Sequence, residues 1–233
     1  MLIVKTGSVR TALGYAGEDF EDWIARGLGR PVQVCSVYVG EELPAPEEFD
    51  GVVVTGSAAM VSEHEAWAER TAVWLRGAVA VGVPVLGICF GHQLLAHALG
   101  GRVGPNPRGR EIGTVSVALK EGSATDPLLG GLPGRIDVHA THLESVLELP
   151  PGAQLLASSA LDPHQAFRVP GRPAWGLQFH PEFSAEVVRG YLEAKREAMR
   201  AEGMDPDSLL DDVRETRWGG DILARFAALN EGP

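Results

Sequence analysis

The heptad Gly87-Ile88-Cys89-Phe90-Gly91-His92-Gln93 sets a thiol midway between two glycines, where an apolar run hands over to a helix-period segment. A thiolate placed there is a candidate nucleophile. Glycines two residues to either side remove side chains that would crowd a tight strand-to-helix turn. The central residue can then adopt strained dihedrals and project its sulfur into a cleft. The helix start favours the thiolate, and its free N–H groups, notably that of Phe90, can face a developing oxyanion. A buried structural cysteine fits the heptad as well, because free Cys is among the most buried residue types. Taken alone, the heptad leaves both readings open.

A second segment supplies acid–base chemistry. In Gly176-Leu177-Gln178-Phe179-His180-Pro181-Glu182, His180 and Glu182 stand at i and i+2 of an extended run, so both side chains lie on one side of the backbone. Pro181 limits the freedom between them. A carboxylate held against one ring nitrogen fixes the tautomer and leaves the other nitrogen to exchange a proton with a thiol. The alternative is a surface strand end that happens to carry a histidine and an acid. A third feature, Val54-Thr55-Gly56-Ser57, turns from a strand into a loop whose Gly56 and Ser57 N–H groups could face the same oxyanion as Phe90, if the strands concerned are neighbours.

These features need a scaffold, and the first hundred residues spell one. Short β-branched runs at 1–5, 32–39, 50–55 and 83–88 alternate with helix-period segments at 16–28, 63–80 and 91–99, the pattern of strand–helix units feeding a parallel sheet. In the second helix Trp67, Thr71, Trp74, Leu75, Ala78 and Val79 form one apolar face. Short strands at 113–119, 135–140, 146–148 and 165–169, divided by Pro- and Gly-rich turns, predict an antiparallel region in the middle. A late strand at 175–179 precedes a helix at 185–200 with Val188, Tyr191, Leu192 and Lys195 on one side. Two amphipathic helices follow in 205–230. The fold expected is α/β: a single domain with a central, mostly parallel sheet flanked by helices and a nucleophile elbow at the carboxyl edge of the strands. Its body spans 1–200, and residues 201–233 form a helical C-terminal extension packed on it.

Composition narrows the function classes. The 233 residues carry 20 Lys+Arg against 31 Asp+Glu, a formal net charge of −11. That balance argues against a protein whose main task is gripping nucleic acid or an anionic membrane. Apolar stretches break well short of the ~20 residues of a spanning helix. Two cysteines and a start without a basic, then apolar, leader favour the cytoplasm. No metal set is legible: His92 and His97 are five apart, His139 and His142 three apart, and no Cys pair accompanies them.

Taken together and in this order, the three features resemble class I glutamine amidotransferases, the Cys-His-Glu family that hydrolyses glutamine to glutamate and ammonia. The resemblance rests on G-I-C-F-G-H-Q and G-L-Q-F-H-P-E-F and covers roughly residues 1–200. It implies Cys89 as nucleophile, His180 as general base and acid, Glu182 as its orienter, Gly56 and Phe90 as oxyanion donors, and Gln93 as a contact of the substrate amide. The segment His139-Ala140-Thr141-His142-Leu143-Glu144-Ser145-Val146 is similar to the family's loop bordering the glutamine pocket. The T-G-S loop and F-G-H-Q elbow look most similar to free-standing, GMP-synthase-like members. No cofactor is implied. The sequence holds neither G-x-x-x-x-G-K-[ST] nor S-G-G-x-D-S, so an acceptor for the ammonia is expected on a separate synthetase chain, with a homodimer as a further candidate assembly. A γ-glutamyl peptidase using the same triad, and a non-catalytic regulatory member of the fold, are the alternative readings.

Overall fold

The structure, a computed structural model, describes residues 1–10 and 17–229. Eleven strands follow in chain order: β1 (Leu2–Lys5), β2 (Gln33–Ser36), β3 (Val52–Val54), β4 (Val85–Ile88), β5 (Arg102–Pro105), β6 (Glu111–Leu119), β7 (Arg135–His142), β8 (Glu144–Glu148), β9 (Gln154–Ser158), β10 (Ala166–Val169) and β11 (Ala174–Leu177). Nine form one sheet in the order β2-β1-β3-β4-β11-β10-β9-β6-β7, while β5 and β8 pair as a separate ribbon. The first five positions of that order are parallel and the rest antiparallel.

Both faces of the parallel part are covered, which explains its nearly continuous apolar strands. Ile3, Val53, Leu86, Ile88 and Leu177 point to one side. There they meet α1 (Phe20–Leu28), α4 (Ala185–Ala194) and α7 (Trp218–Ala228). Leu2, Val4, Val52, Val54 and Val85 alternate to the other side, under α2 (Ala66–Val81) and α3 (Phe90–Ala98). Asp19 starts α1 with a reciprocal capping box with Asp22. Gly82 ends α2 at φ 85°, a left-handed turn that favours glycine.

The expected helix over 16–28 is found as Phe20–Leu28, and its residue 16 lies outside the described residues, as does residue 230 of the tail segment. The run at 32–39 leaves the sheet after Ser36 and closes as a single 3₁₀ turn on Gly40. The expected helix over 185–200 is two, α4 and α5 (Arg196–Ala201), because Lys195 takes φ −99°, ψ 5° and interrupts the helical bonding. A short α6 (Pro206–Asp211) follows. In the tail, Ile222, Leu223, Phe226 and Ala227 bury the inner face of α7. A β-carbon on Gly27 would collide with Leu223, so α1 and α7 touch where glycine permits it.

Candidate active site

The carboxyl ends of β3, β4 and β11 meet at one cleft of about 690 Å³. Cys89 stands immediately after β4 with φ 53° and ψ −103°, a left-handed conformation that a side chain resists. The surroundings hold it there. Its N–H donates to Leu177 O on β11 (2.8 Å), and Gly91 N–H donates to Thr55 O at the end of β3 (3.1 Å). The two glycines have a steric cause: a β-carbon on Gly87 would meet His92 N at 2.8 Å, and one on Gly91 would meet Val54 Cβ at 2.8 Å. The thiol lines the cleft and donates to Thr141 O at 3.7 Å.

His180 lies beyond β11, beside the elbow. Its N–H donates to His139 O (2.8 Å), which pins it across to β7, and its Nδ1 meets Glu182 Oε1 at 2.7 Å. Both side chains are buried. Burial opposes the imidazolium, but the Glu182 carboxylate and then Cys89 outweigh it, so His180 is pushed up to about 10. His139 goes the other way: burial, then the charge of His180, pushes it down to about 4. An uncharged imidazole therefore backs a charged one. Nε2 of His180 has no hydrogen-bond partner among the described residues, which leaves it to a proton in transit.

Aromatic rings fix the imidazole plane. Phe183 stacks on His180 with centroids 3.9 Å apart and planes 10° from parallel, and Tyr191 stacks on the far side of Phe183 at 5.3 Å. Burial, with Cys89 and Glu182 nearby, raises the Tyr191 phenol and keeps it protonated. Phe183 closes the G-L-Q-F-H-P-E-F segment, so its place was readable but its stacking was not. Arg110, Tyr191 and Lys195, which also line the cleft, carried no sequence signal because they come from separate elements.

The T-G-S turn sits against this pair. Thr6 Oγ1 bonds the carbonyls of Thr55 and Gly56 (both 3.0 Å), and a β-carbon on Gly56 would stand 2.9 Å from His180 Cε1. β3 and β4 are neighbours, which meets the condition for Gly56 and Phe90 to share one anion. Neither N–H donates to any described residue. Gln93, inside α3, gives its Nε2 protons to Glu144 O (2.8 Å) and Gln178 Oε1 (3.1 Å), leaving Oε1 for a ligand. The 139–146 segment forms the opposite wall through Thr141, His142, Leu143 and Glu144. His142 is locked between Glu144 O (2.9 Å) and Glu111 Oε2 (3.0 Å).

A buried thiol on a strained elbow, an imidazole braced by a carboxylate and two idle N–H groups make up the equipment of a thiol acyl-transfer enzyme. Residues 15–195 match the glutamine amidotransferase class-I family, and the chain belongs to it. It is similar to the glutamine-hydrolyzing GMP synthase of Thermomicrobium roseum, at 44% identity over 187 residues covering 75% of this chain and 33% of that protein. It also resembles one separately encoded subunit of the glutamine-hydrolyzing GMP synthase of Archaeoglobus fulgidus, 34% identical over 152 residues, 63% of this chain and 76% of that one. A crystal structure of a glutamine amidotransferase from Methylobacillus flagellatus superposes with a TM-score of 0.79 at 26% identity, covering 97% of this chain and 93% of the other. This chain spans about a third of the length of the full GMP synthases it matches. No helix among the described residues is long and apolar enough to cross a membrane.

Proposed function

We infer that this glutamine amidotransferase hydrolyses the side-chain amide of glutamine through a Cys89 thioester and releases ammonia for an acceptor on another chain. The observation that carries the reading is the buried 2.7 Å pairing of His180 with Glu182 beside the strained Cys89 elbow. The Cys89 thiolate attacks the amide carbon, and the N–H groups of Gly56 and Phe90 receive the oxyanion. As the tetrahedral adduct collapses, the C–N bond breaks and the imidazolium of His180 gives its proton to the departing ammonia. Water then loses a proton to His180 as it adds to the thioester. Glutamate leaves, and the thiolate–imidazolium pair is restored. Glu182 holds the charged ring throughout, and Gln93 Oε1 accepts from the substrate amide.

The acceptor fits a synthetase of the GMP-forming kind. Support comes from the Archaeoglobus relative, whose name marks it as one part of a divided GMP synthase, and from the span of this chain, which corresponds to only a third of the full-length relatives. Glutamate and ammonia release from L-glutamine, assayed beside Cys89→Ala, tests the hydrolytic half. Equal release from both proteins, or turnover confined to γ-glutamyl dipeptides, would sink it.

A further inference from the structure

One cluster of chemically capable side chains lies outside the cleft. His64 Nδ1 and His97 Nε2 approach the same oxygen, Glu69 Oε1, at 2.7 and 3.0 Å. The three residues come from three places: the turn ahead of α2, the first turn of α2 and the last turn of α3. Sequence spacing hid the grouping, since His64 and His97 are neighbours only after α2 and α3 pack. We propose that His64, Glu69 and His97 bind a divalent d-block cation of the zinc class through the two ring nitrogens and one carboxylate oxygen, with water completing the shell.

Ligand chemistry and metric both favour this. Two imidazoles and a carboxylate are a borderline donor set that suits zinc-class ions over magnesium or calcium, which prefer oxygen alone. One ligand atom from each residue lies within 4.8 Å of the other two. Tetrahedral bonds of about 2.0–2.1 Å place neighbouring donors roughly 3.3 Å apart, so the trio must open by only a few tenths of an ångström. The donors are held in advance. Glu69 and His97 stand on helices packed against each other, and His64 is fixed at φ 52° by its N–H bond to Val61 O (3.1 Å). The ring hydrogen bonds keep the Glu69 carboxyl below the usual carboxylate range, in the ionised form that ligates. Side-chain exposures of 61% for His64 and 42% for Glu69 give a hydrated ion access.

A cation there would act on the cleft from outside. Residues 57–60 form one wall of the cleft, Ser62 bonds Glu144 on the opposite wall, and His64 ends the same segment. Ligation would tie that wall to α3, which begins at the elbow.

The test uses the full chain carrying Cys89→Ala, so that the cleft thiol cannot take up metal, stripped with a chelator and titrated with zinc chloride by calorimetry. One equivalent should bind, and thermal stability should rise with zinc and fall back on chelation. Glu69→Gln should weaken the affinity about tenfold or more. His64→Ala/His97→Ala should abolish both uptake and the thermal shift, with circular dichroism showing the fold retained. Absence of uptake, or uptake unchanged in the double variant, overturns the proposal.

Discussion

A β-carbon on Gly87 would stand 2.5 Å from the carbonyl carbon of Gly91, so the strand carrying the nucleophile and the helix leaving it approach at a distance only glycine allows. Backbone cannot retreat as a flexible side chain can. Gly87→Ala is expected to cost about 3 kcal/mol of stability, at the upper end for an overpacked site, and to remove most glutaminase turnover. Thermal unfolding and a steady-state assay would check it. A variant that matches the parent in both would contradict the close packing of the elbow.

Glu182 is expected to set the alkaline limit of activity. The imidazolium of His180 persists to about 10 because the Glu182 charge outweighs burial. Glu182→Gln removes that support, so the alkaline limb of the kcat profile should move to lower pH and the rate should fall by about 10²- to 10⁴-fold. An unmoved limb would mean that another group holds the proton.

Ring stacking gives a separate handle on His180. Replacing Phe183 with Leu keeps an apolar filling but loses the parallel face 3.9 Å from the imidazole. We expect kcat to fall about tenfold while KM changes little, because orientation and not binding is lost. A rise in KM alone would assign Phe183 to substrate contact.

Lys5, Asp19 and Glu21 form a buried charged knot at the end of β1, with Lys5 Nζ 2.9 Å from Asp19 and 2.6 Å from Glu21. Burial opposes the Asp19 charge, yet hydrogen bonds from Ser8, Lys5, Val9 and Phe20 hold its carboxyl low. Burial opposes Lys5 too, and Glu21 and Asp19 hold it high. The depressed carboxyl stabilises the fold above its unfolded value of about 3.9, and that stability is lost as pH falls through the folded value. The raised lysine stabilises below about 10.4, a contribution lost as pH rises through its folded value. His180 acts in the same sense, fully below about 6.5 and lost towards 10. Denaturant unfolding across pH should therefore trace a plateau that declines on both sides. Asp19→Ala should lower the plateau by about 3 kcal/mol and flatten the acid limb.

The start of α7 touches the catalytic segment. A β-carbon on Gly219 would meet the Pro181 carbonyl carbon at 2.8 Å, between His180 and Glu182. Gly219→Ala should displace that segment and lower kcat about tenfold or more while leaving glutamine KM near the parent value. Unchanged turnover would separate α7 from the site.

Local patterning made much of this legible. The elbow heptad, the His180-Pro181-Glu182 step and the strand–helix alternation are short-range signals, and each occupies its expected stretch. The strands Arg102–Pro105 and Gln154–Ser158 escaped notice because Gly104-Pro105 and the flanking Pro150-Pro151-Gly152 read as turns. The antiparallel strands β6, β7, β9 and β10 join the main sheet, an arrangement that no local pattern specifies. Contacts assembled from distant elements were silent for the same reason: His139 behind His180, Tyr191 behind Phe183, and Lys195 brought to the cleft where the helix breaks.

Because β11 slots beside β4 from almost ninety residues further along the chain, a growing polypeptide must wait for it. Until Ala174–Leu177 has been synthesised, β4 keeps one bare edge of unpaired backbone groups, and Cys89 has no imidazole beside it. The nascent enzyme is thus chemically mute while its most apolar strand is most open to wrong pairing. Completion of that one strand closes the edge and creates the reactive pair in a single event, so glutamine cannot be hydrolysed by chains that stop short of it.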